Sequence, residues 1–179
     1  MKNVKISIAF AGVMLVATTT FSQSAWKADT SKATIKFITS GPFGEVDGSL
    51  ASLKTTITFD PNSPETGSIT ATLNPATVET GISLRNTHLR EKEEYFNTAK
   101  YPLISFISTQ IKKGASGGYI ASGDMMIKGV TKQIDIPFTF DKTATGGTFK
   151  GSFVMDAFDY QVGTSGKKVT VNIEVPVTQ

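Results

Sequence analysis

Apolar side chains recur at every second position along most of this chain, and no other property restricts its fold as much. Between residues 133 and 141, Ile134, Ile136, Phe138 and Phe140 alternate with Gln133, Asp135, Pro137, Thr139 and Asp141. An extended strand places residues two apart on one face, so this stretch has an apolar side and a polar side. The same period returns in runs at 33–39, 45–60, 68–78, 103–112, 119–128, 148–155 and 169–177. Turn chemistry separates them: Gly41, Pro42 and Gly44, the Pro61-Asn62-Ser63-Pro64 group, Gly114 with Gly117 and Gly118, Gly129, and Gly146-Gly147. Gly48, inside the second run, predicts a bulge or sharp bend there. Eight short runs in succession predict an all-β antiparallel sandwich or barrel. Closure into an eight-stranded barrel removes the exposed edges and brings all the apolar faces together.

One block breaks the pattern. Winding residues 85–96 at 3.6 residues per turn puts Arg85, His88, Leu89, Lys92 and Phe96 on one stripe, with Arg90, Glu91, Glu93 and Glu94 on the other side. An amphipathic helix is therefore predicted between the third and fourth runs, ended by Tyr101-Pro102. Its inward stripe carries the only histidine of the chain and one of its two arginines.

The first residues read differently again. Lys2 and Lys5 precede an uncharged apolar run at 6–18, and small residues follow near Ser22. That is the form of a cleavable secretory signal over residues 1–22, which predicts a periplasmic or secreted protein whose remainder, 23–179, is one domain. The apolar run is shorter than the ~20 residues of a spanning helix, so no integral membrane segment is expected after cleavage. Loss of Lys2 and Lys5 lowers the formal net charge from +3 to 3 − 2 = +1. With no basic cluster, a nucleic-acid partner is excluded. The absence of cysteine excludes disulfides, thiol catalysis and cysteine-ligated metals.

The residues offer little catalytic machinery. A lone His88 makes no conventional zinc site, no Gly-x-Ser-x-Gly elbow accompanies it, and no glycine-rich phosphate loop is present. A hydrolase using His88 is the weakest of three readings. The other two are a barrel with a filled core acting as a structural or protein-interaction module, and a barrel with a ligand cavity. Phenylalanine occurs 12 times against four tyrosines and one tryptophan, mostly at strand positions. A filled core and a cavity lining share that signature, so periodicity leaves both open. Arg85 and His88 are likewise open between bonds to the protein's own backbone and contact with a ligand's polar end.

A resemblance supplements these readings. The series Thr80, Arg85, His88-Leu89, Tyr95-Phe96-Asn97, Tyr101-Pro102, Ile104, Phe106 and Ser108 resembles the signature of the YceI-like family, as do Trp26 with Asp29, Val46-Asp47-Gly48 and Ile127-Lys128-Gly129-Val130-Thr131-Lys132. The likeness runs in order through residues 26–177. It implies a lipocalin-like eight-stranded barrel that binds or carries a long apolar molecule, such as a polyisoprenoid, a prenyl quinone or a fatty-acid amide, with no covalent cofactor, no metal and no enzymatic activity. On that reading the apolar lumen is expected to include Phe37, Phe59, Leu73, Phe106, Ile127, Phe138, Phe140, Phe153 and Ile173, with Leu89 and Phe96 from the helix. Arg85 and His88 are expected to meet the polar end. The segment Ala157-Phe158-Asp159-Tyr160-Gln161 departs from the family's usual pattern by lacking an arginine and a glycine, so no contact of that arginine is carried over. Monomer and homodimer are both compatible with the sequence.

Overall fold

The computed structural model describes residues 25–41 and 44–179. The expected signal segment at 1–22 lies outside the described residues. The elements are β1 (Ala25–Ala28), β2 (Thr34–Gly41), β3 (Gly44–Leu50), β4 (Lys54–Thr58), β5 (Ser68–Leu73), α1 (Ser83–Glu91), β6 (Ile104–Lys113), β7 (Tyr119–Ile127), β8 (Val130–Lys142), β9 (Gly146–Asp156) and β10 (Lys168–Thr178). Hydrogen bonding runs β1-β4-β5-β6-β7-β8-β9-β10-β2-β3, and a further β1–β10 pairing closes the ring. Val169 to Glu174 of β10 pair with β2, while Val177 and Thr178 pair with β1. β1 and β2 therefore share one position around the ring, β3 and β4 share the next, and the result is a closed antiparallel barrel of eight strand positions.

Register turns the separate alternations into one interior. Ile35 lies opposite Ile173, Ile173 opposite Gly151, and Gly151 opposite Phe138. Across the barrel, Ala71 faces Phe106 and Phe106 faces Met125. Residues far apart in sequence thus enter the same layer, and the apolar parity of each strand points inward.

Four expectations need correction. The second run is two strands, because Ala51 to Leu53 leave the extended conformation, with Ser52 at φ 62°. The bend is there and not at Gly48, which lies within β3 opposite Phe37; a Cβ on Gly48 would fall 2.2 Å from the Phe37 ring. The third run stops at Leu73, since Pro75 opens a short 3-10 turn at Pro75–Thr77. β1 was not expected, because a single inward residue, Trp26, gives no visible period.

The fourth correction concerns the helix. α1 ends at Glu91, and Lys92 already has extended geometry (ψ 143°), so Lys92 and Phe96 are not on a helical stripe. Glu91, Glu93 and Glu94 would crowd negative charge onto the negative end of the helix dipole. The chain instead turns, with the Phe96 and Thr98 amides donating back to the Leu89 and Arg90 carbonyls.

Two inward glycines differ in what they tolerate. At Gly123, beside the bulge between Ser108 and Gln110, a Cβ would meet the Ile107 carbonyl oxygen at 2.3 Å and the Ser108 Cα at 2.7 Å. At Gly151 the nearest atom would be Ile136 Cγ2 at 3.4 Å. Gly123→Ala is expected to cost roughly 1–3 kcal/mol and lower Tm by several degrees, through forced backbone movement. Gly151→Ala should leave the melting curve close to wild type, and differential scanning calorimetry on the pair checks the contrast.

Candidate functional site

The end of the barrel formed by the start of β7, the end of β8 and the start of β9 is shut by aromatic rings. Phe59, fully buried, sits at their centre. Its ring centroid lies 4.8 Å from Tyr119, 5.6 Å from Phe138 and Phe140, and 5.4 Å from Phe149, all in edge-on or steeply inclined geometry. Phe140 stacks on Phe149 at 4.4 Å and meets Trp26 at 4.8 Å. The Trp26 indole N–H donates to the Phe59 carbonyl (2.8 Å), which fixes both ends of the plug. Such ring pairs contribute about 0.5–1.5 kcal/mol each beyond area burial, so this end is rigid.

Above the plug the interior is not filled. A cavity of about 120 Å³ lies between the aliphatic side chains of Ile35, Ile57, Leu73, Ile104, Met125 and Val175, with Phe138 and Phe149 beneath. It exists because three inward positions carry small residues: Ala71, Ala121 and Gly151 all line it. Thr55 and Ser105 bring the only side-chain hydroxyls among the lining residues, and Thr55 Oγ1 already donates to the Thr70 carbonyl (2.7 Å). No ionisable side chain lines it. An apolar space of this kind favours hydrocarbon over water.

The sequence-predicted lumen residues divide. Leu73, Phe106, Phe138 and Ile173 line the cavity. Phe59 and Phe140 belong to the plug below, while Ile127 and Phe153 are buried in the surrounding core. Phe37 is half-buried over Gly48. Leu89 is half-buried on α1, and Phe96 packs against the core from the turn that follows. Sequence reasoning missed Ile35, Ile57, Ala121, Met125, Gly151 and Val175 as lining residues. The small residues among them, falling on the apolar parity, were the available signal.

The opposite end is crossed by residues 74–103, a strap that carries α1. β3 has no second strand partner, and Glu79 covers its free edge by exchanging backbone hydrogen bonds with Ser49 (2.9 and 3.0 Å). Asn86, only 4% exposed, then knots the helix start. Its Oδ1 accepts from the Thr80 amide (2.9 Å) and hydroxyl (2.7 Å), and its Nδ2 donates to Glu79 Oε1 (2.7 Å). That bond and the Gly81 amide hold the Glu79 carboxyl below its ordinary range. The far end is tied by the Gly163 amide to the Glu94 carbonyl (2.7 Å) and by the Lys128 ammonium, which donates to the Gln161 carbonyl (2.7 Å) and to the Glu93 carbonyl. A polar cleft of about 370 Å³ marks this seam, and three residues lining it, Asn97, Lys128 and Gln161, have φ of 45°, 51° and 57°.

Arg85 and His88 are half-buried on α1, and neither side chain has a hydrogen-bond or ion-pair partner among the described residues. No group of three metal-ligating side chains forms among the described residues, and none of their helices is long and apolar enough to cross a membrane. Sequence reasoning also missed Tyr160, 2% exposed in the turn after β9, whose hydroxyl has no partner among the described residues.

Two substitutions follow. Asn86→Ala removes the acceptor for Thr80 and is expected to cost roughly 1–3 kcal/mol, seen as faster amide exchange through residues 79–91 before the barrel itself exchanges. Burial, and then the charge of Asp159, push the Tyr160 phenol above its ordinary value. The unfolded phenol ionises near pH 10 and the folded one later, so its contribution is intact below about pH 10 and lost as pH rises through the folded value. Tyr160→Phe should raise Tm at neutral pH and reduce the alkaline fall in stability. A Tm below wild type would contradict an unsatisfied hydroxyl.

Comparison with known proteins agrees with this architecture. Residues 26–178 match the YceI-like domain family. A UPF0312 protein of Photorhabdus laumondii is 38% identical over 94 residues, and the YceI protein of Escherichia coli is 36% identical over 96 residues. These alignments cover 52% and 54% of this chain and 44% and 46% of the relatives, so the matched part spans about half of their length. Among solved structures, BcnA of Burkholderia cenocepacia superposes with a TM-score of 0.79 at 21% identity, over 85% of this chain and all of that one. A polyisoprenoid binding domain from Saccharophagus degradans, implicated in plant cell wall breakdown, superposes with a TM-score of 0.63 at 14% identity, over 87% and 99%. The match over nearly the whole described chain, joined to a closed eight-position barrel with one helix, identifies this protein as a member of the YceI-like family.

Proposed function

We propose that this protein is an exported binding protein that holds the apolar tail of a polyisoprenoid or a similar lipid in its barrel, with the lipid's polar end at the strap. The observation that carries this reading is the hydrocarbon-lined cavity above the aromatic plug. A protein-interaction barrel with a solid core has no need of three small inward residues around one space. The polyisoprenoid binding domain from Saccharophagus degradans supports the ligand class, and the apolar stretch at 6–18 supports export.

Magnitudes assign the work. An engineered cavity of about 150 Å³ accepts benzene, so the 120 Å³ here corresponds to roughly one five-carbon isoprene unit. At about 0.8 kcal/mol per buried carbon group this contributes ~4 kcal/mol, which alone is millimolar binding. Tighter binding needs contacts at the strapped end. Arg85 and His88 are the donors placed there without partners of their own, and each hydrogen bond from them would add about 1 kcal/mol, or more to a charged acceptor. The reading assigns no chemical step: His88 has no carboxylate partner among the described residues and so lacks the orienting group of a hydrolytic triad.

Protein purified from its native host, extracted with organic solvent and analysed by mass spectrometry, is expected to yield one apolar compound in stoichiometric amount. In calorimetric titrations, the Arg85→Ala, His88→Ala double variant should bind a prenyl alcohol about thirtyfold more weakly than wild type, yet bind the corresponding hydrocarbon equally well. Extracts empty of lipid, together with no binding of any prenyl compound, would overturn the reading.

A further inference from the structure

We infer that Phe138 and Phe149 form a fixed floor to the lumen and make the barrel a length gauge that encloses a short tail segment and leaves the rest of a longer tail outside. The inference rests on the reading that the lumen receives an apolar tail, and goes beyond it by naming the residues that set how much of the tail is taken.

Both rings have two roles. They line the underside of the cavity, and each is in the plug: Phe138 lies 5.6 Å from Phe59 and stacks on Tyr119 at 5.3 Å, while Phe149 lies 5.4 Å from Phe59 and stacks on Phe140 at 4.4 Å. A ring held on its far side by other rings cannot swing away without breaking those contacts and opening a void. Phe59 behind them is itself pinned through the bond from Trp26 to its carbonyl. The floor is therefore stiff, whereas the opposite end is a strap held by a few hydrogen bonds.

Gly151 gives the gauge its width at the same level. It is paired with both Phe138 and Ile173 in the sheet and lines the cavity, and a Cβ there would meet only ordinary van der Waals contacts at 3.4 Å and beyond. Backbone geometry does not demand glycine here, since its φ is not in the left-handed range. Gly151 therefore borders the lumen without filling it.

A tail anchored by its polar end at α1 thus has a defined depth available. Isoprene units beyond that depth lie outside the enclosed space or pull the polar end from Arg85 and His88, and in either case add no further burial.

The test is isothermal titration of prenyl alcohols with one to four isoprene units. For wild type, affinity is expected to change by less than about twofold with each unit added beyond the first. Phe149→Ala lowers the floor and should move the break one unit longer; Phe138→Ala serves the same purpose if the first variant melts below the assay temperature. Gly151→Val narrows the lumen from the side and should weaken the two-unit alcohol at least tenfold. Wild-type affinity that keeps climbing through four units, or a break unmoved in a folded floor variant, overturns the gauge while leaving the lipid-binding reading intact. No binding by any of the four overturns that reading, and the gauge with it.

Discussion

The structure depends on one seam. β10 is hydrogen-bonded to β9 on one side and, along its length, first to β2 and then to β1 on the other. That shared strand converts a ten-stranded ribbon into a closed ring. Closure satisfies the backbone groups that an open sheet would expose, and it forces every apolar strand face towards a single interior. A ring of eight strands has an inside just wide enough for side chains to meet, so whether it is solid or hollow is decided residue by residue.

Here the two outcomes coexist at different heights. Large rings meet in the layer of Phe59, Tyr119, Phe140 and Phe149 and fill it. Higher in the barrel, Ala71, Ala121 and Gly151 withdraw volume and a cavity opens. The filled layer supplies rigidity and the hollow layer supplies capacity. The strap across the other end is of a different kind: its ties are polar, centred on Asn86 and Lys128, and no apolar residue of α1 is fully buried, with Leu84 as much as 65% exposed. Polar ties of this sort are exchangeable with water at modest cost, which makes this end easier to open than the aromatic one.

Much of this was legible in the chain. The alternation in residues 133–141 and its seven counterparts gives strands whose borders the structure moves by a few residues, apart from the run at 45–60, which it divides in two, and the resemblance of the 80–108 block reached the family that the match over 26–178 shows. What could not be read has physical reasons. β1 is too short to show a period, and its place is set by pairing with β4 and β10. The break at Ser52 uses a left-handed residue that is not glycine, so no composition signal marks it. The acids at 91–94 disfavour a longer helix, but the path taken after it is set by the Glu93 and Glu94 carbonyls meeting Lys128 and Gly163, partners that only the folded ring supplies. The division of inward residues between plug and cavity follows from register, which sets Gly151 rather than a larger residue opposite Phe138.

The most direct measurement of a hollow apolar layer is xenon titration followed by methyl NMR. Xenon enters dry cavities of this size and leaves packed interiors and wet clefts alone. Pressure-dependent shifts are expected at the methyl groups of Ala71, Ala121, Met125 and Ile136, saturating at one bound atom, with Val177 and the aromatic layer unaffected. Methyl shifts that stay flat throughout the barrel would mean a solid interior and would contradict a tail-binding lumen.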